Sequence, residues 1–281
     1  MDPVIFSIGK ISIRWYSVFI LIGIIIAYFL IQKESKKKNI DSEFVFNLVF
    51  WVVLIGIIGA RLYYVLFSLN EYNKFVDIFK VWEGGLAIHG GILAGLITLI
   101  IYCNKNKVKK LVMTDIAVPG IIIAQAIGRW GNFFNGEAFG KAVSDTYLRS
   151  LHFIPNFIIN NMFLYDSFDG EWAYRHPCFY YESLWCLLGF ILLLVIRKYY
   201  KKRKDGFLTA FYMFWYGLGR FFIEFLRTDA LKIFNIRVAQ VVSFLLFSIG
   251  IGMMIYLIYK QVKDDKEIVE VKKKKSNIKK K

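Results

Sequence analysis

The sequence has few cysteines and no grouping of residues typical of a metal site. Only three of its 281 residues are cysteine, namely Cys103, Cys178 and Cys186. Their number is odd, and two of the three fall in apolar runs, so a disulfide framework is not expected. Because the sequence shows no cluster of metal-ligating residues, we expect no metal and no other cofactor.

The chain is also short of acidic residues, with 21 against 37 basic ones and a formal net charge of +16. A basic balance of this kind is compatible with nucleic-acid binding, but its distribution along the chain argues against that. Hydrophobic residues make up 57% of the sequence, and the mean hydropathy is +0.48. Soluble domains are about 45–50% apolar, so the excess indicates a membrane protein.

Seven apolar stretches are long enough to cross a bilayer, which takes roughly 20 residues. They predict an all-α integral membrane protein with one membrane domain over 1–259. The first stretch lacks a small-residue cleavage site, so we expect a retained helix and not a signal peptide. The third is short and rich in glycine, which favours close helix packing. The predicted spans are 12–32, 45–67, 86–103, 112–130, 179–197, 207–226 and 238–259.

Basic residues concentrate in alternate connecting segments, around 33–38, 105–110, 197–204 and beyond 260. Since lysine and arginine are enriched on the cytoplasmic side, the N-terminus is predicted outside and the C-terminus inside. The Lys-rich tail 260–281 is predicted to be cytoplasmic and disordered, attracted to anionic lipid. We expect no nucleic-acid partner.

The segment 131–178 is too long for a simple connection between spans. Loops of that length are usually functional or folded. It is rich in aromatic residues, which concentrate at membrane interfaces. We therefore predict a small exterior head, or cap, between the fourth and fifth spans.

Charged residues inside spans are costly and commonly mark function. His89, at the outer end of the third span, is either a buried structural histidine or a base near neutral pH; its flanking glycines favour the second interpretation. Arg61 either extends to the outer interface or is functional. Asp115 is expected to be the N-cap of the fourth span.

The sixth span carries one polar stripe. At about 100° per residue, Tyr216, Arg220, Glu224 and Arg227 fall on one helix face. Arg220 and Glu224 are at i, i+4 and can pair. Such pairing for stability is the simpler interpretation, but buried ion pairs are weak stabilisers, so we favour function. In the fifth span, Glu182 is predicted to face the same outer layer.

The most informative stretch follows the fourth span and runs Gly128-Arg-Trp-Gly-Asn-Phe-Phe-Asn-Gly-Glu-Ala-Phe-Gly140. Its glycines permit close approach of a ligand. Arg129 offers a planar set of donors suited to phosphate, and Asn132 and Glu137 add polar groups. A solvated glycine-rich turn is the alternative. Because Arg129, His89, Arg220 and Glu182 all fall at exterior span ends, we predict an outward-facing pocket for a lipid phosphate.

With these residues, the chain resembles the bacterial prolipoprotein diacylglyceryl transferases. The family signature Gly-Arg-x-Gly-Asn-Phe-x-Asn-x-Glu-x-x-Gly matches in full. The chain has Cys178-Phe179-Tyr180 where the family tends to have Ser-Gln-Leu, so no glutamine role carries over. Further matches are Asp2 to Ile8, Arg14 to Tyr16, Gly84-Gly85, His89 to Gly91, Arg175 to Pro177, Tyr181-Glu182, and Tyr216 with Arg220 and Glu224.

The resemblance implies a multi-pass enzyme of the bacterial cytoplasmic membrane. Such an enzyme moves the diacylglyceryl group of phosphatidylglycerol onto the lipobox cysteine of a prelipoprotein and releases glycerol phosphate. It implies that Arg129 contacts phosphatidylglycerol, that Arg220 is essential and that His89 is a candidate base. The other residues expected to matter for catalysis or substrate binding are Tyr16, Asn132, Glu137, Gly140, Glu182, Tyr216 and Glu224.

Two other classes remain open at this point. A transporter or flippase for an anionic lipid or substrate also carries intramembrane arginines, but such proteins usually show internal repeats and broken helices. A membrane scaffold would leave the polar stripe unexplained. The discriminating observation is whether lipid moves with or without formation of a covalent adduct.

Overall fold

Long apolar helices dominate the computed structural model of the protein. It describes residues 2–9, 11–72, 75–81, 84–228, 232–234 and 236–278. Within these ranges the helices are α1 (Trp15–Lys36), α2 (Ser42–Phe67), α3 (Ile88–Lys105), α4 (Lys110–Asn135), α5 (Asp145–Ser150), α6 (Asn156–Ile159), α7 (Cys178–Tyr199), α8 (Phe207–Glu224) and α9 (Val238–Ile278).

By length and composition, six described helices can cross a membrane: α1, α2, α3, α4, α7 and the Val238–Ile268 part of α9. The prediction of a multi-span helical membrane protein is therefore confirmed. The sixth predicted span is also a helix, α8, but its composition is less apolar than that of the six candidate spans. Arg220 and Glu224 lie within its 18 residues and lower its mean hydropathy.

Neighbouring helices pack closely where glycine faces a partner. A Cβ atom on Gly23 of α1 would lie 3.2 Å from Ala124 of α4, and one on Gly120 would lie 3.1 Å from Ala27. The backbones of Gly59 in α2 and Gly90 in α3 are in direct contact. The expected close packing of the glycine-rich third span is thus confirmed. Gly56 also faces Gly91, so the order of the contacts shows that α2 and α3, like α1 and α4, are antiparallel.

The helices place two sets of loops at opposite ends. The head, residues 136–177, joins α4 to α7 and defines what we call the head end. At the other end, which we call the basic end, a buried apolar cluster ties four helices together through Ile31, Val45, Cys103 and Met113. The lysine-rich segments between α1 and α2, α3 and α4, and α7 and α8 lie there.

Short strands add to the predicted helices. A hairpin of β1 (Val4–Ile8) and β2 (Ile11–Arg14) precedes α1. The head holds a three-stranded antiparallel sheet in which β5 (Glu171–Arg175) lies between β3 (Ala142–Val143) and β4 (Phe163–Asp166), and a two-stranded ribbon of β6 (Lys232–Ile233) and β7 (Ile236–Arg237) precedes α9. The mostly helical architecture agrees with the predicted fold class, and these short strands were not predicted from the sequence.

The sequence of the hairpin formed by β4 and β5 in the head has a strand pattern that was not recognised in the sequence. Aromatic residues alternate along β4 and β5, and the register pairs Phe163 with Tyr174 and Tyr165 with Trp172. Cross-strand aromatic pairs stabilise such ribbons. Gly170 supplies the turn with a φ of +74°, a backbone conformation that favours glycine.

The C-terminal helix differs from the expected end of structure near residue 259. α9 continues without a break to Ile278, and 279–281 lie outside the described residues. Lysine and glutamate are good helix formers, which accounts for the continuation. Two contacts hold the first part of the segment beyond residue 259 at the basic end. Tyr200 Oη donates to Gln261 Oε1 at 2.5 Å, and Lys204 Nζ lies 2.5 Å from Asp264 Oδ2.

Candidate active site

Three helices bring charged side chains to one point at the head end. Glu182, near the start of α7, is 4% exposed. Its Oε2 atom lies 2.5 Å from Arg129 Nε of α4, and its Oε1 atom accepts from Arg220 Nη1 of α8. The structure thus joins Arg129, Arg220 and Glu182, which sequence reasoning had placed at the same membrane depth from three separate spans.

The cluster extends along α8. Arg220 Nη2 lies 2.7 Å from Glu224 Oε2, which confirms the predicted i, i+4 pair. Arg227 Nη1 approaches Glu182 Oε1 at 3.9 Å, and Arg237 Nη1 donates to the backbone oxygen of Glu224. Arg237 was missed by sequence reasoning; its only signal was an isolated arginine directly before the last span.

Positive charge exceeds negative charge in this group. Four arginines, Arg129, Arg220, Arg227 and Arg237, surround the two described carboxylates of this group, Glu182 and Glu224. Glu182 and Glu224 are almost fully buried, at 4% and 1% exposure. In such surroundings charge–charge interactions are screened far less than in water. The group therefore suits an anionic ligand with oxygen atoms.

A narrow cleft borders the charged cluster. Glu182 and Arg220 line it together with Tyr216, Cys186 and Trp185. The rings of Trp185 and Trp215 stack at 4.2 Å between centroids. Each indole also donates to the other residue's backbone oxygen, at 2.9 and 3.0 Å. This double contact fixes α7 against α8 beside the cluster.

The signature stretch forms the end of α4 and the turn beyond it. Gly136 closes the helix in the left-handed conformation, with a φ of +64°. The amides of Asn132 and Asn135 donate to Glu137 at 3.4 and 3.5 Å. No hydrogen bond or ion pair connects Asn132 or Glu137 to the arginines in the described part of the chain. These two predicted site residues shape the turn that follows Arg129.

Gly140 and Tyr16 occupy close-packed positions around the same turn. The Gly140 N–H donates to His176 O at 2.8 Å, and Gly140 pairs with Arg227 in a β-bridge. Tyr16 of α1 packs on Gly131, where an added Cβ would lie 2.7 Å from its ring. Gly140 thus ties the signature turn to the segment carrying Arg227.

Substituting Gly140 tests this close packing. A Cβ at this position would meet Leu226 O at 2.7 Å and Cys178 Sγ at 2.8 Å. We expect Gly140→Ala to destabilise the protein by about 1–3 kcal/mol through overpacking. Thermal unfolding in detergent measures the effect. Gly252→Ala is the matched control, since a Cβ there meets no atom within 4 Å, and a helical Gly→Ala change is expected to stabilise by roughly 0.5–1 kcal/mol.

His89 does not join the charged cluster. It lies in the first turn of α3 and is exposed. Its ring centroid is 6.3 Å from that of Tyr63 on α2. Over the described ranges, no hydrogen bond or ion pair links His89 to Arg129, Glu182 or Arg220. Its exposure is inconsistent with the alternative of a buried structural histidine.

Arg61 and Asp115 have structural partners. Arg61 is buried at 6% exposure and donates to the carbonyls of Asp77, Ile78, Gly84 and Gly85 at 2.7–3.1 Å. It holds the loop that leads to His89, a structural role that neither alternative for Arg61 had included.

Asp115 caps a helix other than the predicted one. α4 begins at Lys110, with Lys109 at its N-cap position. Asp115 instead accepts from the backbone N–H groups of Gly206 and Thr209, both at 2.9 Å, and from the Thr209 hydroxyl at 2.7 Å. It therefore caps α8 across 91 residues of sequence, a partner that local pattern cannot identify.

Two residues of the head that precede α7 also have defined partners. Arg175 is fully buried and forms an ion pair with Asp169 at 2.7 Å. His176 Nδ1 lies 3.2 Å from Tyr181 Oη. Burial, and secondarily the Lys141 ammonium, lower the pKa of His176 below its ordinary value. This shift favours the neutral form of the imidazole, which contacts Tyr181.

Phe179 packs in an apolar core at the position where this chain departs from the family pattern. It stands where the family tends to have glutamine and is 1% exposed. Its ring stacks on Phe133 with centroids 4.9 Å apart, and both belong to the apolar core of the head. The position is a packing position in this chain.

Fold and site together define a multi-pass helical membrane protein with a buried arginine–carboxylate centre at one end. The chain matches the family described as prolipoprotein diacylglyceryl transferase over residues 3–256. It belongs to that family.

Several relatives carry the name phosphatidylglycerol–prolipoprotein diacylglyceryl transferase. That of Streptococcus agalactiae serotype Ia is 44% identical over 257 residues, covering 91% of this chain and 96% of the relative. The Listeria monocytogenes serotype 4b protein is 46% identical, covering 91% and 90%. The protein of Staphylococcus aureus strain Newman is 45% identical, covering 91% and 89%.

Proposed function

We propose that this chain transfers the diacylglyceryl group of phosphatidylglycerol to the lipobox cysteine thiol of prelipoproteins and releases glycerol phosphate. The observation that supports it most is the meeting of Arg129 and Arg220 on the buried Glu182 carboxylate. Family membership supplies the identity of both substrates. Purified protein should release glycerol phosphate from phosphatidylglycerol only when a lipobox peptide is present, and a Cys→Ser peptide should give none.

We further propose seven membrane spans in the bacterial cytoplasmic membrane, with the head end outside. α8 counts as the seventh span because both its neighbours are spans. Its Gly217 lies against Ser243 of α9, where a Cβ would be 2.6 Å from the backbone oxygen, and Trp215 stacks on Trp185 of α7. The lysine-rich loops at the basic end support a cytoplasmic location for that end.

Binding of phosphatidylglycerol requires the arginines to exchange partners. The cleft beside the cluster is narrow, and Arg129 and Arg220 are held by Glu182. The two non-bridging oxygens of a phosphodiester offer arginine the same paired acceptor geometry as the two oxygens of a carboxylate. In this proposal the headgroup phosphate takes over guanidinium donors that Glu182 holds in the free protein, and Glu224 keeps Arg220 in place.

The reaction itself is a displacement at carbon. The cysteine thiolate attacks the diacylglyceryl carbon that bears the phosphate; a C–S bond forms as the C–O bond breaks. The electron pair leaves with the phosphate, so a diester becomes a monoester with one more negative charge. Arg129 and Arg220 stabilise that added charge better in the transition state than in the bound lipid, which is the condition for catalysis.

The thiol must lose its proton, because a free cysteine has a pKa of about 8.5 and the thiolate is the nucleophile. We propose His89 as the base. It is exposed at the start of α3, at the end of that helix where the Gly59–Gly90 contact brings α2 close. Arg61 positions the preceding loop through its four carbonyl contacts.

A histidine variant tests the base directly. We expect His89→Gln to lower the transfer rate about 100-fold at pH 7, the lower range for loss of a general base. The deficit should shrink towards pH 9, because the thiol then ionises without help. Transfer rates of both proteins over pH 6.5–9 measure this. A variant that keeps most of its activity at pH 7 would show that His89 is not the base.

The head is the proposed docking surface for the signal peptide. Its hairpin presents exposed aromatic side chains, with Phe163 and Tyr165 at 50%, Phe168 at 71% and Trp172 at 64% exposure. Aromatic side chains favour the membrane interface, where an apolar peptide enters from the bilayer. This position would let the head cover a lipobox peptide next to the charged cluster.

A further inference from the structure

A second polar cavity lies at the basic end, far from the arginine–carboxylate cluster. It measures about 310 Å³ and is bordered by α1, α4, α7 and the turn between α7 and α8. Arg197, on its wall, follows Glu182 by roughly 22 Å along α7 at 1.5 Å per residue. The cavity is therefore separate from the proposed active site.

Cationic side chains dominate the wall of this cavity. Five of them line it, namely Lys38, Arg197, Lys201, Arg203 and Lys204. They come from the end of α1, the end of α7 and the following turn. The fold thus collects around one space basic residues that are spread over more than 160 positions of sequence.

Three acidic residues share the wall, and two of them have internal partners. Asp115 accepts from the backbone N–H groups of Gly206 and Thr209 at the start of α8. Glu34 pairs with Lys37 at 2.9 Å and lies 3.7 Å from Arg197. With Asp205 included, the wall carries two more positive than negative charges.

Three of the cations have no carboxylate within ion-pair distance in the described part of the chain: Lys38, Lys201 and Arg203. Arg203 Nη1 donates to the backbone oxygens of Arg197 and Tyr200, and Arg203 lines the cavity. Lys204 differs, since it pairs with Asp264 of α9. The three cations without a carboxylate partner thus lie on two sides of one cavity.

We propose that this cavity binds the phosphate ester of an anionic ligand. Arginine and lysine donors form their strongest hydrogen bonds with phosphate oxygens. Basic pockets between transmembrane helices are typical sites for anionic headgroups. The space is large enough for a glycerol phosphate unit. That unit is shared by two sources, an anionic phospholipid of the adjoining leaflet and free glycerol phosphate in solution.

The test uses the full-length protein in phosphatidylcholine nanodiscs. One arm counts bound phosphatidic acid by native mass spectrometry as its fraction is raised; the other measures binding of free glycerol phosphate by calorimetry. We expect Lys201→Gln/Arg203→Gln to weaken binding about tenfold or more in one arm, since charge-assisted hydrogen bonds are lost. The affected arm identifies the source of the phosphate ester.

Lys198→Gln/Lys202→Gln is the matched control, because it removes the same charge from the same segment without touching the cavity wall. It should change binding less than twofold. Since Arg203 also holds two backbone oxygens, Lys38→Gln/Lys201→Gln is a second variant that leaves those contacts intact. If cavity and control variants weaken binding equally, or neither does in either arm, the proposed site is wrong.

Discussion

We expect Arg220→Lys to lower the rate of diacylglyceryl transfer by about 100-fold to 1000-fold, the usual effect of removing one donor that stabilises developing charge. Arg220 contacts both Glu182 and Glu224, which a planar guanidinium can do. A lysine ammonium is a compact point charge and cannot reproduce that geometry. The rate of labelled diacylglyceryl transfer to a lipobox peptide measures the effect. Arg129→Lys should behave similarly.

Arg149→Lys is the control for an arginine-to-lysine change. Arg149 lies in the head, pairs with Asp145 at 2.8 Å and has a side chain 42% exposed. Its substitution should leave transfer within twofold of the native rate. If Arg220→Lys folds with native thermal stability and also stays within twofold, charge stabilisation by Arg220 is not part of the mechanism.

The second large effect concerns Glu182, on which the arginines converge. We expect Glu182→Gln to lower the free energy of unfolding by about 3 kcal/mol, since removing one partner leaves buried charges uncompensated. It should also abolish measurable transfer, because Arg129 and Arg220 lose the group that aligns them. Thermal unfolding in detergent and the transfer rate are measured on the same preparation.

A double variant separates charge balance from alignment. Arg227 lies 3.9 Å from Glu182, and Glu182→Gln/Arg227→Gln removes one negative and one positive charge, so the net charge of the cluster stays that of the native protein. Stability should recover in part, while transfer should stay absent. A Glu182→Gln protein as stable and as active as the native one would contradict the central position that the structure gives this carboxylate.

Much of the site could be predicted because it depends on membrane depth and helix periodicity. A charged residue is easy to recognise within an apolar span. The i, i+4 spacing alone places Arg220 and Glu224 on one face of the helix. Which carboxylate receives Arg129 could not be predicted, because α4, α7 and α8 meet only in the folded bundle. The same limit applies to Asp115, whose partner Gly206 lies 91 residues away.

The strands and the end of the last helix show a different limit. β3 and β6 have two residues each, too few for a recognisable alternation. The tail beyond 259 has charge typical of disorder and residues typical of helix, and composition cannot decide between them. At Phe179 no role carried over from the family pattern, and only the folded structure shows that this side chain packs in the core of the head.

The most direct test of the account is the mass of the peptide product. Purified protein, phosphatidylglycerol and a lipobox peptide are incubated in nanodiscs, and the peptide is analysed by mass spectrometry. We predict that the peptide gains the mass of one diacylglyceryl group on its cysteine with phosphatidylglycerol and gains no mass with phosphatidylethanolamine. Phosphatidylglycerol that crosses the bilayer while the peptide mass stays unchanged would contradict the account and indicate a flippase.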